Sequence, residues 1–379
     1  MNVVVNRLNK LSKKHFFLFV ILALSFISSM LFVHHNHSFY ERLIAEVIET
    51  ELVDAAETID MHNNEDMLFT QQIVAEIKNG EKKGQLIHLT NEFSSSGAYD
   101  HEFHTGHELF VSMDAEIADT GELTGTITDV KRDTHILIVA WMFIFILLLV
   151  GKKQGLYAII SLIVVAVLLS YALDVYIHTS DLSLLWICSI SVILFTVISL
   201  LLVGGFNEKT YAAIVATLLG TFSLLLITFL VMWLTSEKGL RYEEMQFLTR
   251  PPQMIFMAGV LIGALGAVMD VAITMSSSLF GLYDKNHSIS VKALKTSGME
   301  IGKDIMGTMT NILFFAYISG SIPMLVLYLM NASPVGFTLS MNLSLELARA
   351  LAGGIGIVLT IPIGLYTTIF FVNRKRARL

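Results

Sequence analysis

The chain has 379 residues, of which 54% are hydrophobic and 15% charged, with a mean hydropathy of +0.67. Soluble proteins carry about 25% charged residues, so this composition excludes an ordinary soluble domain and indicates a multi-pass membrane protein. The net charge of −7 and the lack of any basic stripe interleaved with aromatics exclude a nucleic-acid surface.

The charge is unevenly spread. Residues 34–133 carry 21 acids against 6 bases, while the remainder has an excess of 8 positive charges. Residues 1–14 hold Arg7, Lys10, Lys13 and Lys14 and precede an 18-residue apolar run, 16–33. No A-x-A cleavage site follows it, so it reads as an uncleaved anchor. In 34–133 the pattern changes to alternation with period two over 72–78, 85–91, 108–113 and 124–130, broken by Asn79-Gly80, Gly84, 94–97 and Gly121. This predicts about five short strands, the fifth within 43–59, and a small β-barrel-like domain, because closure removes exposed edges.

Seven further apolar runs follow, near 135–151, 155–176, 182–203, 211–234, 253–274, 307–330 and 350–372. The connections alternate in charge. Fifteen Lys and Arg, including the N-terminal four, Lys152, Lys153 and 374–378, fall on one side, and only Lys238, Arg241, Arg250 and Arg349 on the other. The positive-inside rule then places both termini in the cytoplasm and 34–133 outside. The predicted fold is a membrane all-α bundle of about eight transmembrane helices. Its parts are the N-terminus and first helix (1–33), the extracytoplasmic acidic domain (34–133), and a seven-helix domain with a basic tail (134–379). No internal repeat is evident. The single cysteine, Cys188, lies in an apolar run, so no internal disulfide can form.

The polar residues inside these runs are the functional candidates. Asp270 stands in the sixth span, where a carboxylate costs about 2.5–3.5 kcal/mol to insert. Gly263, Gly266, Ala267, Asp270, Thr274 and Ser277 share one helical face, and its small residues allow another helix or a water-filled cavity beside the carboxylate. The functional reading is a proton or coupling-ion site; the bland one is a packing hydrogen bond. Asp304, Thr308 and Asn311 form a second one-faced set, with Gly307 between them. Asp304 is expected at the start of its span, where capping explains it as well as transport does. Thr308 and Asn311, deeper in the span, could complete with Asp270 an oxygen-rich pocket suited to Na⁺ or Mg²⁺. Glu346 and Arg349 stand at the outer mouth of the last span. An interfacial ion pair is the plain reading, and an anion-recruiting vestibule the sharper one. Gly259, Gly263 and Gly266, with Gly353, Gly354 and Gly356, indicate either close helix packing or a helix broken around a site, and Pro323 and Pro362 are kink candidates with the same two readings.

His34, His35, His37, His101, His104 and His107 invite a metal reading. A glycine and a strand pattern in their stretch spoil the ligand geometry, and they are read as solvent-exposed. The chain has no P-loop, G-x-S-x-G, H-E-x-x-H or dinucleotide fingerprint, so no enzyme activity, catalytic residue or cofactor is expected. An intramembrane aspartic dyad of Asp270 and Asp304 would need both at one depth. The spans place them at different depths.

Several long stretches resemble the YibE/F-like family of bacterial multi-pass membrane proteins. They are KGQLIHLTNEFSSSGAYD at 83–100, KRDTHILIVAW followed by GKKQGL, GGFNEKTYAAI, RPPQMIFMAGVLIGALGAVMDVAITMSSS, GKDIMGTMTNILFFAYISGSIP and GGIGIVLTIPIGL. With its pre-membrane domain the chain is similar to the longer member type. The resemblance implies residence in the bacterial cytoplasmic membrane, and carries permease as the role usually put forward. It assigns no role to Asp270, Asp304, Thr308 or Asn311. The expected function is therefore a permease for a small solute or cation in the lipid bilayer. The alternative is a non-transporting scaffold or sensor whose external domain binds a partner protein, and an intramembrane enzyme ranks below both. Homo-oligomers, or pairing with the shorter family member, are the other partners expected.

Overall fold

The computed structural model describes residues 13–97, 100–114, 123–179, 183–245 and 251–378; Arg7, Lys10, Gly121 and Arg250 lie outside them. The chain divides into two compact units, Met1–Leu147 and Leu148–Leu379.

The first unit contains α1 (Lys13–His34), a single 3₁₀ turn (Asn36–Phe39) and five strands: β1 (Leu43–Ile59), β2 (Glu65–Ile77), β3 (Leu86–Ser94), β4 (Glu108–Met113) and β5 (Leu123–Val130). It also holds the first turns of α2 (Asp133–His178). The strands lie where the alternation placed them, because one side of each buries its apolar set. Ala45, Val47, Ile73, Ala75, Ile77, Ile87, Leu89, Leu109 and Val111 close on one core. The sheet runs β1-β2-β3-β5-β4, and β4 pairs back onto β1. All pairs are antiparallel except β3 with β5. At that crossing a methyl on Gly125 would sit 2.4 Å from the Ser112 carbonyl oxygen, so only glycine fits. Asn79 links three chain segments: its Oδ1 accepts from Ile44 N, and its Nδ2 donates to the carbonyls of His37, Tyr40 and Arg42.

A polar network joins α1, β4 and α2. Lys131 Nζ donates to Glu108 (2.5 Å), Asp133 (3.1 Å) and the Val33 carbonyl (3.1 Å), with its side chain only 1% exposed. Asn36 and Tyr40 donate to Asp133, and His37 bonds the other Glu108 oxygen. Below it, Trp141 Nε1 donates to Ser29 Oγ at 2.8 Å and stacks edge-on with Phe26.

The second unit is helical: the rest of α2, then α3 (Leu184–Gly204), α4 (Glu208–Thr235), α5 (Pro252–Lys285), α6 (Val291–Met330) and α7 (Val335–Arg376). Among the described residues six helices, α2 to α7, are long and apolar enough to cross a membrane, and α1 adds a shorter apolar stretch, Val20–His34. Three helices extend beyond the predicted apolar runs. The 46-residue α2 covers two predicted spans; it is interrupted only at Lys152, whose backbone is non-helical (φ 50°, ψ −121°). Helix α6 begins 16 residues before the predicted span, capped by Ser290, which accepts from Ala293 N. Helix α7 begins at Val335, 15 residues before the predicted 350. Charged and polar turns hide these helical ends from hydropathy. Pro323 and Pro362 lie inside helices that continue through them.

Helices α5 and α7 are the most deeply buried, and α6 is peripheral. The contacts rest on glycine. A methyl at Gly220 of α4 would meet Thr360, one at Gly302 of α6 would meet Ile361, and one at Gly353 of α7 would meet Leu313, each within 2.3 Å. The C-terminal basic residues are fastened to the same bundle. Lys375 pairs with Asp284, Arg376 donates to the Ile289 carbonyl and Arg378 pairs with Glu208.

Candidate functional site

Helix α7 carries Glu346 and Arg349 one turn apart, and Arg349 Nη1 donates to Glu346 Oε1. Both side chains are about one-fifth exposed. The pair lines a cavity of about 480 Å³, together with Tyr317 and Ser321 of α6 and Asn342 of α7. Ser321 and Asn342 are buried, and Asn342 Nδ2 donates to the Thr338 carbonyl. The Arg349 guanidinium also lies 5.7 Å from the ring centre of Phe256.

Among the described residues, two polar atoms at this site are buried without a hydrogen-bond partner: Arg349 Nε and Tyr317 Oη. Both face glycines of α5. A methyl at Gly263 would sit 2.1 Å from Tyr317 Oη, and one at Gly259 3.7 Å from Arg349 Nε. The Gly259–Gly263 spacing thus makes room for two bulky polar side chains, not for a bare helix backbone. Unpaired buried donors of this kind are uncommon in native proteins and call for an explanation. The sequence alone marked Arg349 and Glu346 but missed Tyr317, Ser321 and Asn342. The α5 glycines were the available signal, and they do not say what they accommodate.

Asp270, Ser277, Asp304, Thr308 and Asn311 lie on exposed surfaces of α5 and α6, and Thr274 is half-buried. Among the described residues none of the six makes a hydrogen bond or ion pair through its side chain. The sequence expected protein or a water-filled cavity around Asp270; in this single chain that face is open. Helix α7 serves as a ruler for depth. Gly353 lies against Ala264 and Gly364 against Met275, both offset by 89 residues, which puts Asp270 level with Leu359. Gly302 and Gly298 of α6 meet Ile361 and Leu365, which puts Asp304 level with Leu359 as well. At 1.5 Å per residue, that level is about 15 Å from Arg349 and about 22 Å from Arg374. The two carboxylates therefore share one depth near mid-span, contrary to the sequence reading. Asp304 is also 13 residues inside α6, so it is not a capping residue. No hydrogen bond joins the two.

In the first unit, His101 and His107 line a cavity, and His104 meets His107 edge-on at 5.5 Å. Among the described residues no group of three or more His, Cys, Asp or Glu side chains is placed to hold a metal ion.

A family model described as YibE/F-like protein matches residues 139–374, and one described as the YibE/F family N-terminal domain matches residues 38–130. No curated protein and no solved structure matches the chain.

Proposed function

The chain belongs to the YibE/F-like family, and on that premise we propose that it is a membrane permease for a small polar solute or cation. The observation that carries this reading is the Arg349–Glu346 pair lining a 480 Å³ cavity in the membrane-spanning unit, with Tyr317 Oη and Arg349 Nε unpartnered among the described residues. Ionisable side chains inside a spanning bundle are costly to hold and mark solute or ion paths. A guanidinium beside a carboxylate offers both charges to one small solute. In this reading Asp270, about 15 Å deeper, binds the coupling proton or cation, Asp304 lies at its level, and Thr274, Ser277, Thr308 and Asn311 supply oxygen and amide groups to either side of that level. We place the chain in the bacterial cytoplasmic membrane, with both termini cytoplasmic, residues 34–133 outside, and α2 counted as two spans divided at Lys152.

Osmotic swelling of proteoliposomes in iso-osmotic gradients of amino acids and of sodium or potassium salts tests this. The expected result is flux for at least one solute, lost in both Arg349→Gln and Asp270→Asn while detergent melting stays near wild type. If Asp270 were only packing glue, Asn would cost about 0.6 kcal/mol and leave flux intact. Wild-type flux in both folded variants would overturn the reading. The scaffold or sensor alternative draws on the cavity in the external unit.

A further inference from the structure

The external unit contains a larger cavity, about 1300 Å³, lined by β1, β2, β3, the segment 100–107 and the first turns of α2. One wall is apolar: Leu52, Phe69, Phe93, Ile136 and Val139. Ile136 and Val139 are 66% and 65% exposed, so this wall continues onto the outer face of a helix that enters the bilayer. The rest is polar, with Arg132, Asp100, Glu102, His101, His107 and His135.

This wall is built rather than loose. Buried Gln71 donates to the Phe103 carbonyl (2.7 Å) and accepts from Phe103 N (3.2 Å), while Asn91 donates to the His101 carbonyl (2.9 Å). These bonds pin the histidine-bearing segment across β2 and β3. Phe69 and Phe93 stack at 5.1 Å behind it.

The charges are specific. Arg42, Lys78 and Lys131 of this acidic unit each pair with a carboxylate. Arg132 does not: among the described residues its guanidinium contacts only His101 Nε2, at 3.3 Å. Asp100 accepts from Ser94 Oγ, and Glu102 lies 3.9 Å from His104. Burial, then the nearby His104 and His135, keep the His107 pKa below its usual value, so it contributes hydrogen bonds rather than charge at neutral pH. The lining thus offers one permanent cation and two carboxylates. A purely anionic headgroup would face Asp100 and Glu102, and a purely cationic one would face Arg132. An oil without charge would leave all three unmatched.

We propose that this cavity binds one zwitterionic phospholipid from the adjoining leaflet, with its phosphate on Arg132 and His101, its ammonium on Asp100 and Glu102, and its acyl chain along Leu52, Ile136 and Val139. Charge-assisted contacts fix the headgroup, and the apolar wall supplies the burial energy. The site is independent of the transport reading and stands if that reading fails.

Native mass spectrometry of the full chain in detergent tests it, with dihexanoyl phosphatidylethanolamine as probe. Dihexanoyl phosphatidylglycerol, hexanoate and inorganic phosphate distinguish a zwitterion from an anion, a simple amphiphile or a free phosphate. The expected result is one ethanolamine lipid bound at least 5-fold more tightly than the glycerol lipid. Arg132→Gln should weaken it at least 10-fold, and Asp100→Asn should erase the preference. Val139→Ser, on an exposed wall, should weaken both lipids alike. Equal or tighter binding of the glycerol lipid or of free phosphate, or binding unchanged by Arg132→Gln, would overturn the proposal.

Discussion

Replacing Lys131 by methionine isolates the electrostatic part of the network where the chain leaves α1 and enters α2. Methionine keeps an unbranched apolar stem, so packing is little changed. What disappears is the ammonium that lies 2.5 Å from Glu108 and 3.1 Å from Asp133. Two carboxylates only 15% and 23% exposed are then left without it. Deleting one partner of a buried pair costs about 3–5 kcal/mol. The lower figure applies here, because His37 still bonds Glu108, and Asn36 and Tyr40 still donate to Asp133. In a domain of this size each kcal/mol moves the melting temperature by about 4–8 °C, so a fall of about 12 °C or more is expected. Lys78→Met is the control. Its ammonium is 2.7 Å from both Glu46 and Glu76, but its side chain is 22% exposed, and such surface pairs contribute about 0–1 kcal/mol.

The assay is hydrogen exchange of the β1–β5 peptides in the detergent-solubilised full chain, followed across a temperature series. The network also has a pH signature. Burial alone would raise the Asp133 pKa, but hydrogen bonds from Asn36 and Lys131 and the charge of Lys131 outweigh it and hold it below the ordinary 3.8. A depressed carboxylate pKa stabilises the fold above its unfolded value, and that stability is lost as pH falls through the lower folded value. The wild-type unit should therefore lose protection below about pH 4, and Lys131→Met should lose less over that window. If Lys131→Met melts within about 3 °C of Lys78→Met, the network is not what holds this junction.

Gly263→Ala puts a methyl 2.1 Å from Tyr317 Oη and should destabilise the detergent-solubilised bundle by about 1–3 kcal/mol. Tyr317→Phe in the same chain should restore part of this, whereas Gly266→Ala, with nothing within 4 Å, should be near neutral. For topology, single cysteines are introduced into a Cys188→Ser background and probed with an impermeant maleimide on intact cells. Met61→Cys, at a position 92% exposed, should react and Ser288→Cys should not. The reverse pattern would invert the orientation.

The strands were legible because each half-buried strand writes a period of two into the sequence, and Ile73, Ala75, Ile77 and Ile87, Leu89 are that pattern. The parallel pairing of β3 with β5 was not, since pairing partners leave no local trace. The start of α6 was missed because KALKTSGMEIGKD is helical but charged, and a hydropathy window measures the bilayer rather than the helix. That error misplaced Asp304, and with it the relative depth of Asp270. At the site, Arg349 and Glu346 stood out as charges near an apolar run. Tyr317 read as an ordinary member of its run and Asn342 as part of a connection until α5, α6 and α7 were brought together.

The position of α7 has a consequence for how the protein is made. This helix packs against α4, α5 and α6, and glycines 353, 356 and 364 admit side chains from all three. It is also the last of these four helices to leave the ribosome. At about 5–20 residues per second, the roughly 170 residues from Glu208 to Arg376 take on the order of ten seconds to synthesise. Until α7 arrives, Gly220 of α4 lacks Thr360 and Gly302 of α6 lacks Ile361, and only the contacts with α5 are in place. A chain stopped short of Val335 would keep the α3–α5 cluster of Cys188, Phe195 and Leu261 but lack the helix on which α4, α5 and α6 converge.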